Sequence, residues 1–302
     1  MGDRTAASDF YNAAVKAASD NSNPEHLKLS YQLHASAAMA DPTWADAIYQ
    51  CGNINSDLGK LPAAIACWRR GIEIEPEKML KARLLCNMGW RLHNTGKIEE
   101  GIAALEAGVA LDPNLHLGWV SLSCAYQSLN RRADMVRTAR LGYSLQPNDP
   151  LAEMQLAFAL LFDRQFKDGF NHLEIRFKYK LQSYLQFPYA KWKGEPDKTV
   201  YLVADQGLGD TLSFARFVPA LCKQAKYVHA VIQPELLRLF QNMFVGIANL
   251  NLMPAPASFP PADAWTTFVS LPFNLKLTEE QIRQADNETL PAVFAPKKWK
   301  LK

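Results

Sequence analysis

The first half of the chain repeats a helical pattern of apolar and polar positions. Stretches such as "AIACWRRGIEIEP" (64–76) and "GIAALEAGVALDP" (101–113) set apolar residues three and four apart, the spacing of one helix face. Prolines that end helices fall at Pro42, Pro76, Pro113 and Pro147, with spacings of 34, 37 and 34. Small residues at Gly52, Gly89 and Ser123 keep the step, at 37 and 34, and the turn glycines Gly59 and Gly96 are 37 apart. Large residues recur at Ile48, Leu85 and Trp119, and again at Trp68, Leu105 and Ala139. The three extra residues of the longer step are assigned to the "EKML" connection (77–80).

After residue 180 the period changes. "SYLQFPYAKWKGEPDK" (183–198), with two prolines and a glycine, reads as an ordered linker. Four strands are predicted, "TVYLVAD" (199–205), "YVHAVIQ" (227–233), "NLNLMP" (249–254) and "AWTTFVS" (264–270). Helices are expected between them over "DTLSFARFVPALCKQA" (210–225) and "PELLRLFQNMF" (234–244), the latter with proline at its first position. Strand and helix in alternation predict a parallel sheet covered by helices.

A 34-residue period with a large residue, a small one, a mid-repeat turn and a closing proline is the tetratricopeptide pattern. Each such unit is a helix hairpin that cannot bury its apolar face alone, and small residues let neighbouring helices approach. Counting outward gives about five helix pairs over 9–180, with degenerate end pairs near 9–40 and 151–177. The sixth position of the first helix reads Gln50, Asn87, Ser121 and Gln155, all polar. This row resembles the amide ladder by which some tetratricopeptide glycosyltransferases hold extended peptide backbones. A concave face that is polar because it is solvated explains the same residues.

Composition narrows the function classes. Hydrophobic residues make up 48% and charged residues 21% of the 302, normal for a soluble globular protein. A net charge of +3 does not argue for a nucleic-acid partner, and the basic "PKKWKLK" end reads as a solvated tail. The five cysteines, Cys51, Cys67, Cys86, Cys124 and Cys222, form no CxxC pair and are read as reduced thiols in a cytoplasmic protein. No histidine pairs at a metal-ligand spacing, so no metal site is expected, and no cofactor is assigned. The start of the chain lacks the basic and apolar regions of a signal peptide, and no run of about 18 apolar residues predicts a membrane span. Trp68, Trp90, Trp119 and Tyr126 sit at repeat positions and are expected in the core.

"DQGLGD" (205–210) follows the first strand, where parallel sheets open their ligand crevice. It is not a dinucleotide fingerprint, because Leu212 stands at the third glycine position, and no G-K-[ST] follows to make a phosphate loop. Gly207 and Gly209 are expected to permit a tight turn with positive φ. Asp210 has two candidate roles, capping the following helix, worth about 1 kcal/mol, or acting as general base toward an acceptor hydroxyl. A carboxylate held by helix N–H groups is the weaker base, so the two roles compete.

The run "YAKWKGEPDKTVYLVADQGLGDTLSFARFVPAL" (189–221) resembles the start of the glycosyltransferase-like module found behind tetratricopeptide repeats in bacterial proteins. That module is similar to the heptosyltransferases, family 9 of the GT-B glycosyltransferases. The resemblance rests on Trp192, Gly194, Glu195 and Pro196, on Gln206 to Asp210, on Arg216, and on Ser270, Leu271 and Pro272 of "FVSLPFNL" (268–275). It implies a catalytic base at Asp210, an acceptor side shaped by Gly207 and Gly209, and hydrogen-bond donors at Gln206 and Thr211. A GT-B enzyme has a second Rossmann-like domain that binds the nucleotide-sugar, and this sequence stops at Lys302, where such a domain of about 150 residues is expected to begin.

The expectation is therefore a tetratricopeptide superhelix (9–180), a linker (181–198) and a Rossmann-like N-terminal half of a GT-B module (199–302). The implied function is the acceptor-side half of an inverting sugar transferase that needs a donor-binding domain. The alternative is a non-catalytic scaffold holding a protein or peptide partner on the concave face of the repeats.

Overall fold

The computed structural model describes residues 2–18, 24–75, 77–178, 188–254 and 260–288. The chain divides into two compact units, 1–159 and 160–302. The first is helical: α1 (Arg4–Ala18), α2 (Pro24–Ala40), α3 (Ala45–Asp57), α4 (Leu61–Ile74), α5 (Lys78–Asn94), α6 (Ile98–Leu111), α7 (His116–Ser128), α8 (Arg132–Leu145) and α9 (Pro150–Phe162), which runs across the boundary. Helices pack as consecutive antiparallel pairs, α1 on α2, α3 on α4, α5 on α6 and α7 on α8.

The backbone carries the period more faithfully than the sequence does. Left-handed residues that end the first helix of a pair fall at Gly59 (φ 72°), Gly96 (φ 85°), Asn130 (φ 55°) and Arg164 (φ 63°). Their steps of 37, 34 and 34 match the proline steps in magnitude, although only the first two are glycines. The 37-residue step is absorbed as helix: α5 has 17 residues where α3 and α7 have 13 each. The extra residues therefore lengthen a helix at its start, where a longer connection was expected; Pro76 itself lies outside the described residues.

Small residues sit where helices touch. A Cβ on Gly89 would stand 2.7 Å from the Gly101 carbonyl oxygen and 2.8 Å from Leu105 Cγ, so α5 and α6 meet backbone to backbone. A Cβ on Gly52 would collide with the Trp68 indole. Trp68 anchors a core cluster with Ala45, Tyr49, Ala64, Leu80 and Leu84. Successive pairs are also stitched laterally at about one repeat of separation. Asn87 Nδ2 donates to Asn53 Oδ1 (2.8 Å), Arg91 pairs with Asp57 (3.3 Å) and His116 meets Asp149 (2.8 Å).

The second unit begins with the end of α9, α10 (Phe166–Leu173) and α11 (Ile175–Lys178), then forms a parallel sheet. Its strands are β1 (Ala190–Lys191), β2 (Thr199–Val203), β3 (Tyr227–Val231), β4 (Leu250–Met253) and β5 (Ala264–Thr267), in the order β1-β5-β2-β3-β4. All four predicted strands form. All pairings are parallel, with Val200 opposite Val228 on one side and Ala264 on the other. The four residues Val200–Val203 are buried, as expected for a strand covered on both faces. From β2 the chain steps outward to β3 and β4, then returns to place β5 on the far side of β2. The carboxyl ends of β2 and β5 thus flank the point where the winding reverses.

Several sequence expectations change here. Part of the stretch read as linker belongs to the sheet: β1 pairs with β5, Trp192 is buried, and its backbone N–H donates to the Trp265 carbonyl (2.8 Å). Residues 181–187 of that stretch lie outside the described residues. The helix expected over 210–225 is broken into α12 (Leu208–Phe214), a 3-10 turn (Ala215–Phe217) and α13 (Val218–Gln224). Pro219 explains the break, because it has no N–H to continue the ladder and its ring crowds the carbonyl four residues back. Neither Gly207, at φ −66°, nor Gly209, inside α12, adopts the positive φ expected of them. The backbone does require glycine at Gly194, at φ 89° and tight against the Asn274 carbonyl. The sheet is completed by α14 (Pro234–Met243), α15 (Leu271–Asn274) and α16 (Glu279–Glu288). Among the described residues, no helix is long and apolar enough to cross a membrane.

Candidate functional site

The first helices of successive pairs, α5, α7 and α9, line a groove of about 420 Å³ in the helical unit. Asn87, Ser121 and Gln155 lie along it, so three of the four residues in the predicted polar row come together. Gln50 does not line this groove; its Oε1 accepts from Asn53 Nδ2 at 3.3 Å. The row is not a uniform ladder. Asn87 spends both amide hydrogens on its neighbours, donating to Asn53 Oδ1 and to Tyr49 Oη (3.1 Å), which leaves its carbonyl oxygen as an acceptor. Gln155 is buried and donates to Ser123 Oγ (3.0 Å), which donates on to the Met135 carbonyl (3.0 Å). Ser123 stands where the other repeats carry glycine, and its hydroxyl draws the Gln155 amide inward.

Sequence reasoning missed the apolar half of this groove. Leu117, Leu151 and Phe158 line it and are 44%, 58% and 45% exposed. Trp90, expected in the core, is half-buried and lines the groove wall, and Trp119 is half-buried too, whereas Trp68 and Tyr126 are core residues. Cys86 and Cys124 complete the wall. Burial pushes their thiols up to about 12 and about 11, so they stay neutral and present apolar surface. The period-3.6 pattern marks which residues face a neighbour but does not separate a neighbouring helix from a ligand. A second, polar hollow of about 300 Å³ adjoins, lined by Asn53, Ser56, Asp57, Asn87, Trp90 and Arg91. The arrangement combines large exposed apolar side chains with hydrogen-bonding groups at repeat spacing, which suits an extended chain with apolar side chains.

The "DQGLGD" turn closes β2 in the second unit. Gly207 is the N-cap of α12 and Asp210 lies three residues further on, in its first turn and exposed, so Asp210 is not the cap. Its carboxylate still gains from the positive end of the helix. Thr211 is buried and its hydroxyl donates to the Gly207 carbonyl (3.3 Å), so it is already used within the helix. The Gln206 carbonyl accepts from Gln233 Nε2 (3.0 Å). A Cβ on Gly209 would meet nothing within 4 Å, and one on Gly207 only the Asp210 carboxylate at 3.8 Å, so the turn is open to solvent.

Beside this turn lies a buried ionic cluster with no sequence signal. Arg176, 1% exposed, donates to Glu174 Oε1 (3.0 Å), the Leu173 carbonyl (3.2 Å), Thr267 Oγ1 (3.2 Å) and Ser270 Oγ (2.7 Å). Ser270 in turn donates to Glu174 Oε1 (2.7 Å). Asp205 Oδ2 is 3.6 Å from Arg176 Nη2, and the buried carboxylate completes no well-formed hydrogen bond. Burial raises the Asp205 pKa, against a smaller downward pull from Arg176 and the Thr267 hydroxyl. Burial also pushes the neighbouring Lys191 down to about 8. The cluster fastens α11 to the carboxyl ends of β2 and β5.

Comparison with known proteins bears on the helical repeats. Residues 82–115 match the family described as tetratricopeptide repeat. No curated protein matches the chain in sequence. Among solved structures, the chain is similar to pilF of Pseudomonas aeruginosa, at 16% identity and a TM-score of 0.50 over 58% of this chain and 76% of that one. It is similar to PilW, a type IV pilus biogenesis factor, at 17% identity and a TM-score of 0.50 over 60% of this chain and 79% of that one. A MamA protein follows at 14% identity and a TM-score of 0.46, over 61% and 98%. At such identities the likeness to pilF and PilW is one of fold. With backbone steps of 37, 34 and 34 residues and the match at 82–115, the chain contains tetratricopeptide-like helical repeats, and its C-terminal part carries a small parallel sheet.

Proposed function

We propose that the protein is an interaction scaffold whose helical repeats bind an extended peptide segment of a partner protein in the groove of α5, α7 and α9. The observation that carries this reading is the cluster of Leu117, Leu151 and Phe158, exposed together beside Asn87 and Ser121. Covering half-exposed side chains of this size is worth about 1 kcal/mol each, enough to anchor a peptide through two or three apolar residues. The test is selection of a random displayed peptide library on the purified protein, followed by fluorescence anisotropy with the selected peptides. Phe158→Asp and Asn87→Ala are expected to weaken binding at least tenfold, about 1.4 kcal/mol, with helical circular dichroism unchanged. Equal affinity in both variants would overturn the reading.

A second reading rests on the turn at 206–211, which follows β2 at the winding reversal, where parallel sheets hold ligands. Together with the resemblance over 189–221, it supports descent from the Rossmann-like acceptor half of a GT-B sugar transferase. Asp210 would be its base, Gln206, Gly207, Gly209 and Thr211 its acceptor wall, and a separate domain would bind the nucleotide-sugar. Asp210→Asn would abolish transfer by an assembly that includes such a domain; retained turnover would remove Asp210 from the chemistry.

A further inference from the structure

The second unit holds a hollow of about 590 Å³, larger than the peptide groove and separate from the Asp210 turn. Its floor is apolar, from Phe170, Pro272, Phe273, Leu277 and Ile282. Phe170 and Ile282 are buried, while Phe273 at the mouth is exposed. Three lysines, Lys167, Lys193 and Lys276, also line it, and among the described residues no carboxylate does. All three are exposed, and among the described residues none of their ammonium groups closes an ion pair within 4 Å.

Two neighbouring acids lie outside the lining and are held by backbone N–H groups, and Glu195 is within electrostatic reach of Lys193. Glu195 Oε2 accepts the Lys193 backbone N–H (2.8 Å), and Glu279 Oε1 accepts that of Lys167 (2.8 Å) while its other oxygen stands 3.9 Å from Arg283. Three like charges around a low-dielectric wall reinforce one another and focus a positive potential on the hollow. Its volume is in the range of small-molecule sites, and its chemistry is that of an apolar body with a charged head.

We infer that this hollow binds an amphipathic anion, an apolar chain carrying a carboxylate or phosphate head, with the chain on Phe170, Leu277 and Ile282 and the head among Lys167, Lys193 and Lys276. A small inorganic anion would use only exposed lysines, whose individual contacts are weak. A neutral amphiphile would use only the floor. An amphipathic anion uses both. Lysine offers a point charge, where arginine offers a planar fork, so the site admits either head group. This inference is independent of the peptide groove.

The test is isothermal titration of the full chain with decanoate, decyl phosphate, decanol and acetate. Saturable binding of decanoate or decyl phosphate is expected, with decanol and acetate at least tenfold weaker. The tighter of the two anions identifies the head group. A Lys167→Gln, Lys193→Gln, Lys276→Gln triple variant should bind the anion about tenfold more weakly and decanol unchanged. Phe158→Asp, in the other unit, should leave anion binding as in the wild type. Absence of saturable binding by both anions overturns the inference, as does decanol matching them or a triple variant that binds like the wild type.

Discussion

Gly89→Ala tests the repeat packing at its tightest point. In an open helix, alanine in place of glycine is worth about 1 kcal/mol of added stability. At position 89 the new Cβ would lie 2.7 Å from the Gly101 carbonyl oxygen and 3.0 Å from the Leu105 backbone nitrogen. Gly101 faces it reciprocally, since a Cβ there would lie 2.8 Å from the Gly89 carbonyl oxygen. Neither obstacle is the free end of a side chain, so α5 and α6 must move apart. Overpacking of this kind costs about 1–3 kcal/mol, which outweighs the propensity gain and leaves a net loss of about 1 kcal/mol. Gly209→Ala is the matched control: it is also a helical glycine, and its Cβ would meet nothing within 4 Å. That variant should gain up to about 1 kcal/mol, so the two should differ by about 2 kcal/mol in opposite directions. Urea denaturation followed by far-ultraviolet circular dichroism reads both. If Gly89→Ala proves as stable as Gly209→Ala, α5 and α6 do not touch backbone to backbone and the packing described here is wrong.

Arg164 takes a left-handed conformation that a side chain disfavours by about 1 kcal/mol, so Arg164→Gly should stabilise by about 0.5 kcal/mol once the more flexible unfolded chain is counted; a loss of stability refutes it. Arg176→Met leaves the buried Asp205 without its ion-pair partner and Glu174 with only Lys191, at 4.0 Å, and should lower stability by about 3–5 kcal/mol in the same denaturation assay, whereas a change under 1 kcal/mol would mean that the cluster is open to water. Burial lowers the His34 pKa, outweighing its bond to the Ser30 carbonyl. The unfolded chain then binds the proton more readily, so this stability is complete above about pH 6.5 and is lost as pH falls toward the folded pKa. His34→Phe should flatten that slope, and an unchanged slope would place the titration elsewhere.

What the sequence reveals follows from the range of the interaction. Helix pairs and buried strands are written in local periodicity, and both are legible. The turn ending each first helix is legible at Gly59 and Gly96, but Asn130 and Arg164 reach the same conformation because the helices on either side impose it. "DTLSFARF" reads as the start of one long helix only if Pro219 is given less weight than the amphipathic pattern; the backbone weighs it otherwise. The Arg176 cluster is illegible because its partners Thr267 and Ser270 lie 91 and 94 residues away. The polar row at Asn87, Ser121 and Gln155 was visible by spacing. Only packing shows that Gln155 turns inward to Ser123, and that leucines and a phenylalanine take over the exposed surface.

Site-specific photo-crosslinking with a selected peptide tests the groove most directly. A benzophenone amino acid at Leu117, 44% exposed in the groove, is compared with one at Leu141, 38% exposed on α8 and outside it. Binding in the groove predicts a peptide adduct from position 117 and none from 141. Equal adducts at both, or an adduct from 141 alone, would contradict binding in the groove.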